Sequence, residues 1–178
     1  MTRAVRVALA LGAVLAAGTP ARALMLTSPA VLPQSPIPPV HTCEGNDVSP
    51  ALTFTGVPDG TKSLVLIVDD PDATGGWTHW LVYDIPPTAT SLPEGVQPKQ
   101  LPKGARVALN GWNRRSYNGP CPPSGRHRYV FRLYAVDTTF GDLGDAATRA
   151  DVEAHMRGHV LQAAELTGLY GKAATASR

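Results

Sequence analysis

The stretch DDPDATGGWTHW, Asp69 to Trp80, packs three carboxylates, a proline, two tryptophans and a histidine into twelve residues. SLVLIV, Ser63 to Val68, precedes it and reads as a buried strand, because a short apolar run rich in β-branched residues is bounded by turn formers. A core strand that ends on acids and returns through Trp-Thr-His-Trp describes a hairpin whose loop gathers polar and aromatic side chains at one end of the sheet. Further runs of the same kind lie on either side: ALTFTGV from Ala51 and THWLVYDIP from Thr78, broken by PDG at 58 to 60 and by PDATGG. RHRYVFRLYAVD is the clearest strand, with Tyr129, Phe131, Leu133 and Ala135 on one face and Arg128, Val130, Arg132 and Tyr134 on the other.

LMLTSPAV, from Leu24, reads as a short first strand. LPQSPIPPVHTCEGNDVSPAL holds five prolines, and proline lacks the N–H a sheet ladder needs, so this segment is expected to be an irregular surface arm. Residues 86 to 125 show little periodicity. In the tail, Thr148 and Asp151 stand in capping-box spacing, which starts a helix near Arg149. Propensity alone carries that helix to Leu166; Gly158 is an alternative stop, after which HVLQAAELTGLY becomes a closing strand. Strands spaced by turns, with one or two short helices, predict a mainly β fold, an antiparallel β-sandwich.

The ends and the charges bound the context. Residues 1 to 23 open on MTRAVR with two arginines, continue through the apolar run VALALGAVLAA and end in small residues at Ala21 and Ala23, the pattern of a secretory signal peptide cleaved after Ala23. A membrane anchor is the competing reading, but the run of about 11 residues is short of the ~20 a spanning helix needs. A single domain of 24–178 remains, periplasmic or secreted, with no later run of membrane-spanning length. Loss of Arg3, Arg6 and Arg22 takes the 16 basic residues to 13 against 14 acidic ones, so the basic balance belongs to the leader and nucleic acid is not expected as a partner. Two cysteines, Cys43 and Cys121, form a disulfide in an exported chain, or else stay as two buried thiols.

DDPDATGGWTHWLVYDIP followed by YNGPCPPSGRHRYVFRLYAVD resembles the two signature segments of the phosphatidylethanolamine-binding protein family, in the manner of its bacterial YbhB/YbcL, Raf kinase inhibitor-like branch. TSPAV, HTCEGNDVSPAL and the late helix fit the same pattern, so the resemblance runs from about Leu26 to Tyr170. It implies a Greek-key β-sandwich with a small anion-binding pocket at one end. By position, the pocket residues are Asp70, Asp72, Trp77, His79, His127 and Tyr129, with Gly119 and Pro120 of GPCPP alongside. Thr74, where the family loop often has proline, and Ser116 and Asn118, where glycines are expected, depart from the pattern. The resemblance also favours a helix that stops near Gly158 and a tail that is a strand. A homodimer, and inhibition of a partner kinase or protease, are further implications of kinship alone.

The chemistry can be weighed residue by residue. Asp69, Asp70 and Asp72 crowd like charges, which raises at least one pKa unless donors satisfy them, and His79 and His127 are suitable donors. Asp72 is expected as a turn staple and Asp69 on the opposite face. Each imidazole can donate to a phosphate oxygen, Tyr129 can add a hydroxyl and Trp77 a flat wall. An ionised Asp70 repels phosphate, which is resolved if Asp70 is neutral or bound to a histidine, or if the ligand is a zwitterion such as phosphoethanolamine. Binding is then stronger at pH 6 than at pH 8. The plainer readings are a turn carboxylate and a satisfied core histidine. Asp70, Asp72, His79 and His127 could instead ligate a metal, but no helical His spacing supports one, and no cofactor is expected. There is no G-x-S-x-G elbow, so a binding protein is expected rather than a hydrolase using the same acid and histidines. A protein-interaction module that does not use the pocket is the other alternative. Arg114, Arg115, Arg126, Arg128 and Arg132 form the densest basic group, either a solvated face balanced by acids or an attractor of anionic headgroups.

Overall fold

A computed structural model describes residues 23–172; the leader assigned to residues 1 to 23 lies outside them except for Ala23. The elements, in chain order, are β1 (Met25–Thr27), β2 (Leu52–Thr55), β3 (Ser63–Asp70), β4 (Trp77–Ile85), β5 (Ser91–Leu92), β6 (Arg106–Val107), β7 (His127–Val136), α1 (Arg149–Met156) and β8 (Val160–Tyr170). Two antiparallel sheets result: a small one in the order β1-β2-β5 and a large one in the order β6-β4-β3-β7-β8. The fold is mainly β, as expected.

β3 is buried along its whole length because both faces of the large sheet are covered. Leu64, Leu66 and Val68 meet Leu26, Leu52 and Phe54 of the small sheet, together with Phe131 and Leu133 of β7. Val65 and Ile67 face the other way, against Phe140, Val152 and Met156 from the loop after β7 and from α1. A strand wet on one face alternates apolar and polar residues; burial on both faces explains the unbroken apolar run that precedes Asp69.

The tail resolves in favour of the strand. Thr148 caps α1, its hydroxyl accepting from the Asp151 N–H while the Asp151 carboxylate accepts from the Thr148 N–H. The helix ends at Met156, and Gly158 adopts φ +81°, a left-handed conformation that suits glycine and stops a helix. β8 then pairs with β7 from His127↔Tyr170 to Val136↔Val160. A full ladder outweighs the few tenths of a kcal/mol per residue by which alanines and leucine favour helix. The proline-rich arm carries only a single 3-10 turn at Pro39–His41 and is irregular otherwise, as expected. β5 and β6, two residues each, lie in the region where the sequence shows no periodicity.

Register brings the candidate site to one end of the large sheet. Asp70 closes β3 opposite Trp77, which opens β4, and His127 opens β7 on the other side of β3. The disulfide forms: Cys43 in the arm is bonded to Cys121, their Cα atoms 5.4 Å apart.

Candidate ligand-binding site

Asp70 is buried and fully engaged. One carboxylate oxygen, Oδ1, accepts from the backbone N–H groups of Asp72, at 2.9 Å, and Ala73, at 3.0 Å. This local turn explains why the chain reverses directly after β3. The other oxygen, Oδ2, lies 2.7 Å from His127 Nδ1. Asp70 is therefore bound to a histidine, one of the two ways expected to offset its charge. Asp69 points to the opposite face, where Arg132 and Arg149 of α1 pair with it. Asp72 turns outward and accepts from the Arg128 backbone N–H and side chain, and these bonds hold its pKa well down, at about 2. It ties the β3–β4 loop to β7, while the turn itself is held by Asp70 rather than by Asp72 as the sequence suggests.

His79 is buried, and its Nδ1 donates to the Asn118 carbonyl at 2.6 Å. Burial pushes its pKa below the ordinary histidine value, against the Asn118 carbonyl and the Asp70 charge, which raise it. The ring is thus neutral at pH 7 with its proton on Nδ1, and Nε2 is left as an acceptor. Its ring stands edge-on between Trp112 and Tyr129, at 5.1 Å from each. Tyr129 is buried, and its hydroxyl makes no hydrogen bond among the described residues. Burial first, and then the neighbouring Asp70 charge, push the pKa of that phenol upward, so it remains an O–H donor.

A cavity of about 240 Å³ lies between these side chains, lined by Asp70, Trp77, His79, Trp112, Tyr129 and the Cys121–Pro123 segment, with Ala73 at its edge. Four of the expected site residues therefore share one wall: Asp70, Trp77, His79 and Tyr129. His127 stands behind Asp70 as its partner and is not among the lining residues. Gly119 and Pro120 support the wall. The Gly119 N–H donates to Asp47 Oδ1 at 2.5 Å, and a Cβ at Gly119 would lie 2.1 Å from the His41 carbonyl oxygen. The Pro120 carbonyl accepts from Cys43 N–H at 3.1 Å, beside the disulfide.

Two further residues shape the site. Trp112 meets Trp77 edge-to-face at 5.4 Å. Asn110 is buried and organises the loop: its amide nitrogen donates to the Ser116 carbonyl and Asn118 Oδ1, while its oxygen accepts from the Trp112 and Arg114 N–H groups. Ser116 and Asn118 join the same network, since Ser116 Oγ donates to Asn118 Oδ1 at 3.1 Å. A lone Trp or Asn in a segment without periodicity carries no signal of such a role.

The basic group is largely neutralised. Arg128 pairs with Asp72, Arg132 with Asp69 and Glu165, and Arg115 with Asp145. Arg114 and Arg126 are exposed and make no ion pair among the described residues. His155 and His159 hydrogen-bond apart, to the Asp151 carbonyl and the Asp137 carboxylate. Among the described residues no group of three His, Cys, Asp or Glu is placed to hold a metal. No helix there is long and apolar enough to cross a membrane.

Comparison with known proteins agrees with this fold. The family model described as "PBP: Phosphatidylethanolamine-binding protein" matches residues 27–171. A UPF0098 protein of Methanothermobacter thermautotrophicus is 51% identical over 136 residues, covering 75% of this chain and 89% of its own length. The crystal structure of a putative phosphatidylethanolamine-binding protein homologue from Chlamydia trachomatis superposes with a TM-score of 0.79 at 40% identity, covering 85% of this chain and 99% of that one. YbcL of Escherichia coli superposes equally well, at 34% identity over 84% of this chain and 99% of its own. With residues 27–171 matched, the two sheets in place and the acid, histidines and tyrosine gathered at one end, the chain belongs to the phosphatidylethanolamine-binding protein family.

Proposed function

We propose that this protein acts outside the cytoplasm as a binder of small phosphate-bearing or other anionic ligands, held in the cavity between Asp70, His79, Trp112 and Tyr129. The observation that carries the reading is the Tyr129 hydroxyl, buried on the cavity wall near the Asp70 carboxylate and the Cys121 backbone but with no hydrogen bond of good geometry to either. Leaving such a group unpaired costs about 1–3 kcal/mol, which an anionic oxygen accepting from it removes. His79 supports the same reading. An anion beside its free Nε2 favours the imidazolium, so binding takes up a proton at a ring that burial keeps neutral in the empty site. Asp70 does not oppose this, because His127 and two backbone N–H groups already face its charge. The disulfide supports an oxidising location, periplasmic or secreted.

Titration calorimetry with inorganic phosphate and O-phosphoethanolamine tests the proposal. Affinity should rise as pH falls from 8 to 6, by at most about tenfold per pH unit for one proton taken up. Tyr129→Phe should weaken binding about tenfold, ~1.4 kcal/mol, the scale of one hydrogen bond to a charged group. Binding that ignores pH and survives Tyr129→Phe unchanged would defeat the reading. Steady turnover of phosphoesters, lost in His79→Ala, would replace it with a hydrolase.

A further inference from the structure

A groove of about 960 Å³ lies outside the cavity between Asp70, His79 and Tyr129 and shares only Pro123 with it. We infer that this groove is the docking site for an extended, acidic peptide segment of a partner protein.

One wall of the groove is the proline-rich arm. Its Gln34 and Ile37 N–H groups donate to the Thr167 and Leu169 carbonyls, and its Ser35 carbonyl accepts from the Leu169 N–H. The arm therefore lies along the outer edge of β8 as an added strand would. It is seated closely, since a Cβ at Gly168 would fall 2.5 Å from Ile37 Cγ1. Pro38 and Pro39 end this pairing, because proline has no N–H to give, and the chain leaves in the 3-10 turn at Pro39–His41. The opposite wall is the loop from Pro123 to Arg126, which packs on Gly171: a Cβ there would lie 2.6 Å from the Gly125 carbonyl oxygen. Leu169 and Tyr170 form the floor. No backbone hydrogen bond from the arm reaches Gly171, so the edge that the arm covers as far as Leu169 runs on uncovered into the groove. An open strand edge beside an apolar floor is suited to an extended chain, whose main chain follows the edge while alternate side chains point down and away.

The charges select an acidic chain. Arg126 and Lys172 are both exposed and line the groove. Packing of the loop brings them together: the Arg126 Cα would be 3.1 Å from a Cβ at Gly171, the residue before Lys172. Neither cation has an ion-pair partner among the described residues. Glu44, the one acid on the groove wall, is engaged by the Tyr170 hydroxyl. Two neighbouring cations without carboxylates favour a partner that brings them. Residues 173–178, AATASR, follow Lys172 and hold no acidic side chain, so they lack that complementarity. An anionic bilayer is drawn to clusters of about 4–8 basic residues, and a duplex to a protein making about 6–10 phosphate contacts. Two cations at the rim of a concave, proline-edged groove meet neither requirement.

Selection from a random-peptide phage library on the purified chain tests the inference. Selected peptides should be enriched in Asp and Glu alternating with apolar residues. The synthetic consensus peptide should bind the Arg126→Glu, Lys172→Glu double variant about tenfold more weakly, by fluorescence anisotropy. Both side chains are exposed, and circular dichroism should show the variant folded. A peptide with lysine in place of each acid should prefer the double variant, reversing the selectivity. Affinity of the acidic peptide should fall as sodium chloride rises from about 0.05 to 0.5 M, because the pairs are screened. No selected peptides, peptides without acidic bias, or affinity unchanged in the double variant would each overturn the inference. So would selection that succeeds only after residues 173–178 are removed, which makes the chain's own tail the occupant. A dimer that the double substitution dissociates in sedimentation velocity would make the occupant a second copy. Capture on phosphatidylglycerol vesicles in place of peptide binding would make it a lipid surface.

Discussion

His79 shows how one side chain can be held by the fold and still line a cavity. A strand position between two tryptophans would ordinarily hold a satisfied core histidine, and by its Nδ1 bond to the Asn118 carbonyl it is one. The ring also lines the cavity, so under the proposed reading the burial that depresses its pKa couples ligand binding to pH. The same shift bears on stability. The unfolded chain takes up the proton near the ordinary value of 6.5, while the folded ring resists it to lower pH. The unfolded state therefore binds more protons in that window, and the His79 contribution to stability is full above about 6.5 and declines as pH falls toward the folded pKa. Urea denaturation at pH 7.5 and 5.5 should show a larger loss for the native chain than for His79→Gln, whose amide can still donate to Asn118. An equal loss in both would mean that burial of the ring is not what is being titrated. Asp72 follows the same sign at lower pH, its contribution present above 3.8 and lost as pH falls through about 2.

At the scale of elements, what the sequence discloses depends on how much of an element's surface is buried and how long its pattern runs. β3, β4 and β7 are long and packed, and their apolar runs announce them together with the acids and histidines at their ends. β5 and β6 are too short for any period to register, and they are held by pairing with distant strands. β8 was ambiguous because its alanines and leucines favour helix locally while the open edge of β7 decides the outcome. The loop from Asn110 to Pro123 was the least legible, since a buried asparagine and an intramolecular Trp–Trp contact determine its course rather than any repeat. Gly111 is where this loop can be tested. Gly111→Ala places a methyl group against the Trp77 ring, so the indole must move outward. Overpacking of this kind costs about 1–3 kcal/mol. The expected result is a shift in tryptophan fluorescence and at least tenfold weaker ligand binding, with the far-ultraviolet circular dichroism of the sheets retained. Unaltered fluorescence and affinity would show that Trp77 is not seated on Gly111.

For the molecule as a whole, the arm from Leu32 to Ala51 is the component whose placement is hardest to explain by packing alone. It has no sheet ladder of its own, but it runs beside β8, where the Gln34 and Ile37 N–H groups donate to the Thr167 and Leu169 carbonyls, the Leu169 N–H donates to the Ser35 carbonyl, and Ile37 enters the core. Its attachment to the site is polar and covalent: Tyr117 Oη donates to the His41 carbonyl, Gly119 N–H donates to Asp47, and Cys43 is bonded to Cys121 across 78 residues of chain. Cross-linking residues so far apart in sequence restricts the unfolded ensemble, with a ceiling of about 4.5 kcal/mol by chain-entropy reasoning. Cys121 is also part of the cavity wall, so the bond that stabilises the fold immobilises one side of the site. Replacement of both residues, Cys43→Ser with Cys121→Ser, should lower unfolding free energy by about 2–4.5 kcal/mol in guanidinium titrations. It should also weaken phosphate-ester binding, because the Cys121–Pro123 wall is then ordered only by hydrogen bonds to the arm. Treatment of the native protein with excess dithiol should reproduce both effects and reoxidation should reverse them. A double variant with full stability and full affinity would mean that packing and hydrogen bonds place the arm unaided, and that the disulfide follows from their geometry rather than securing it.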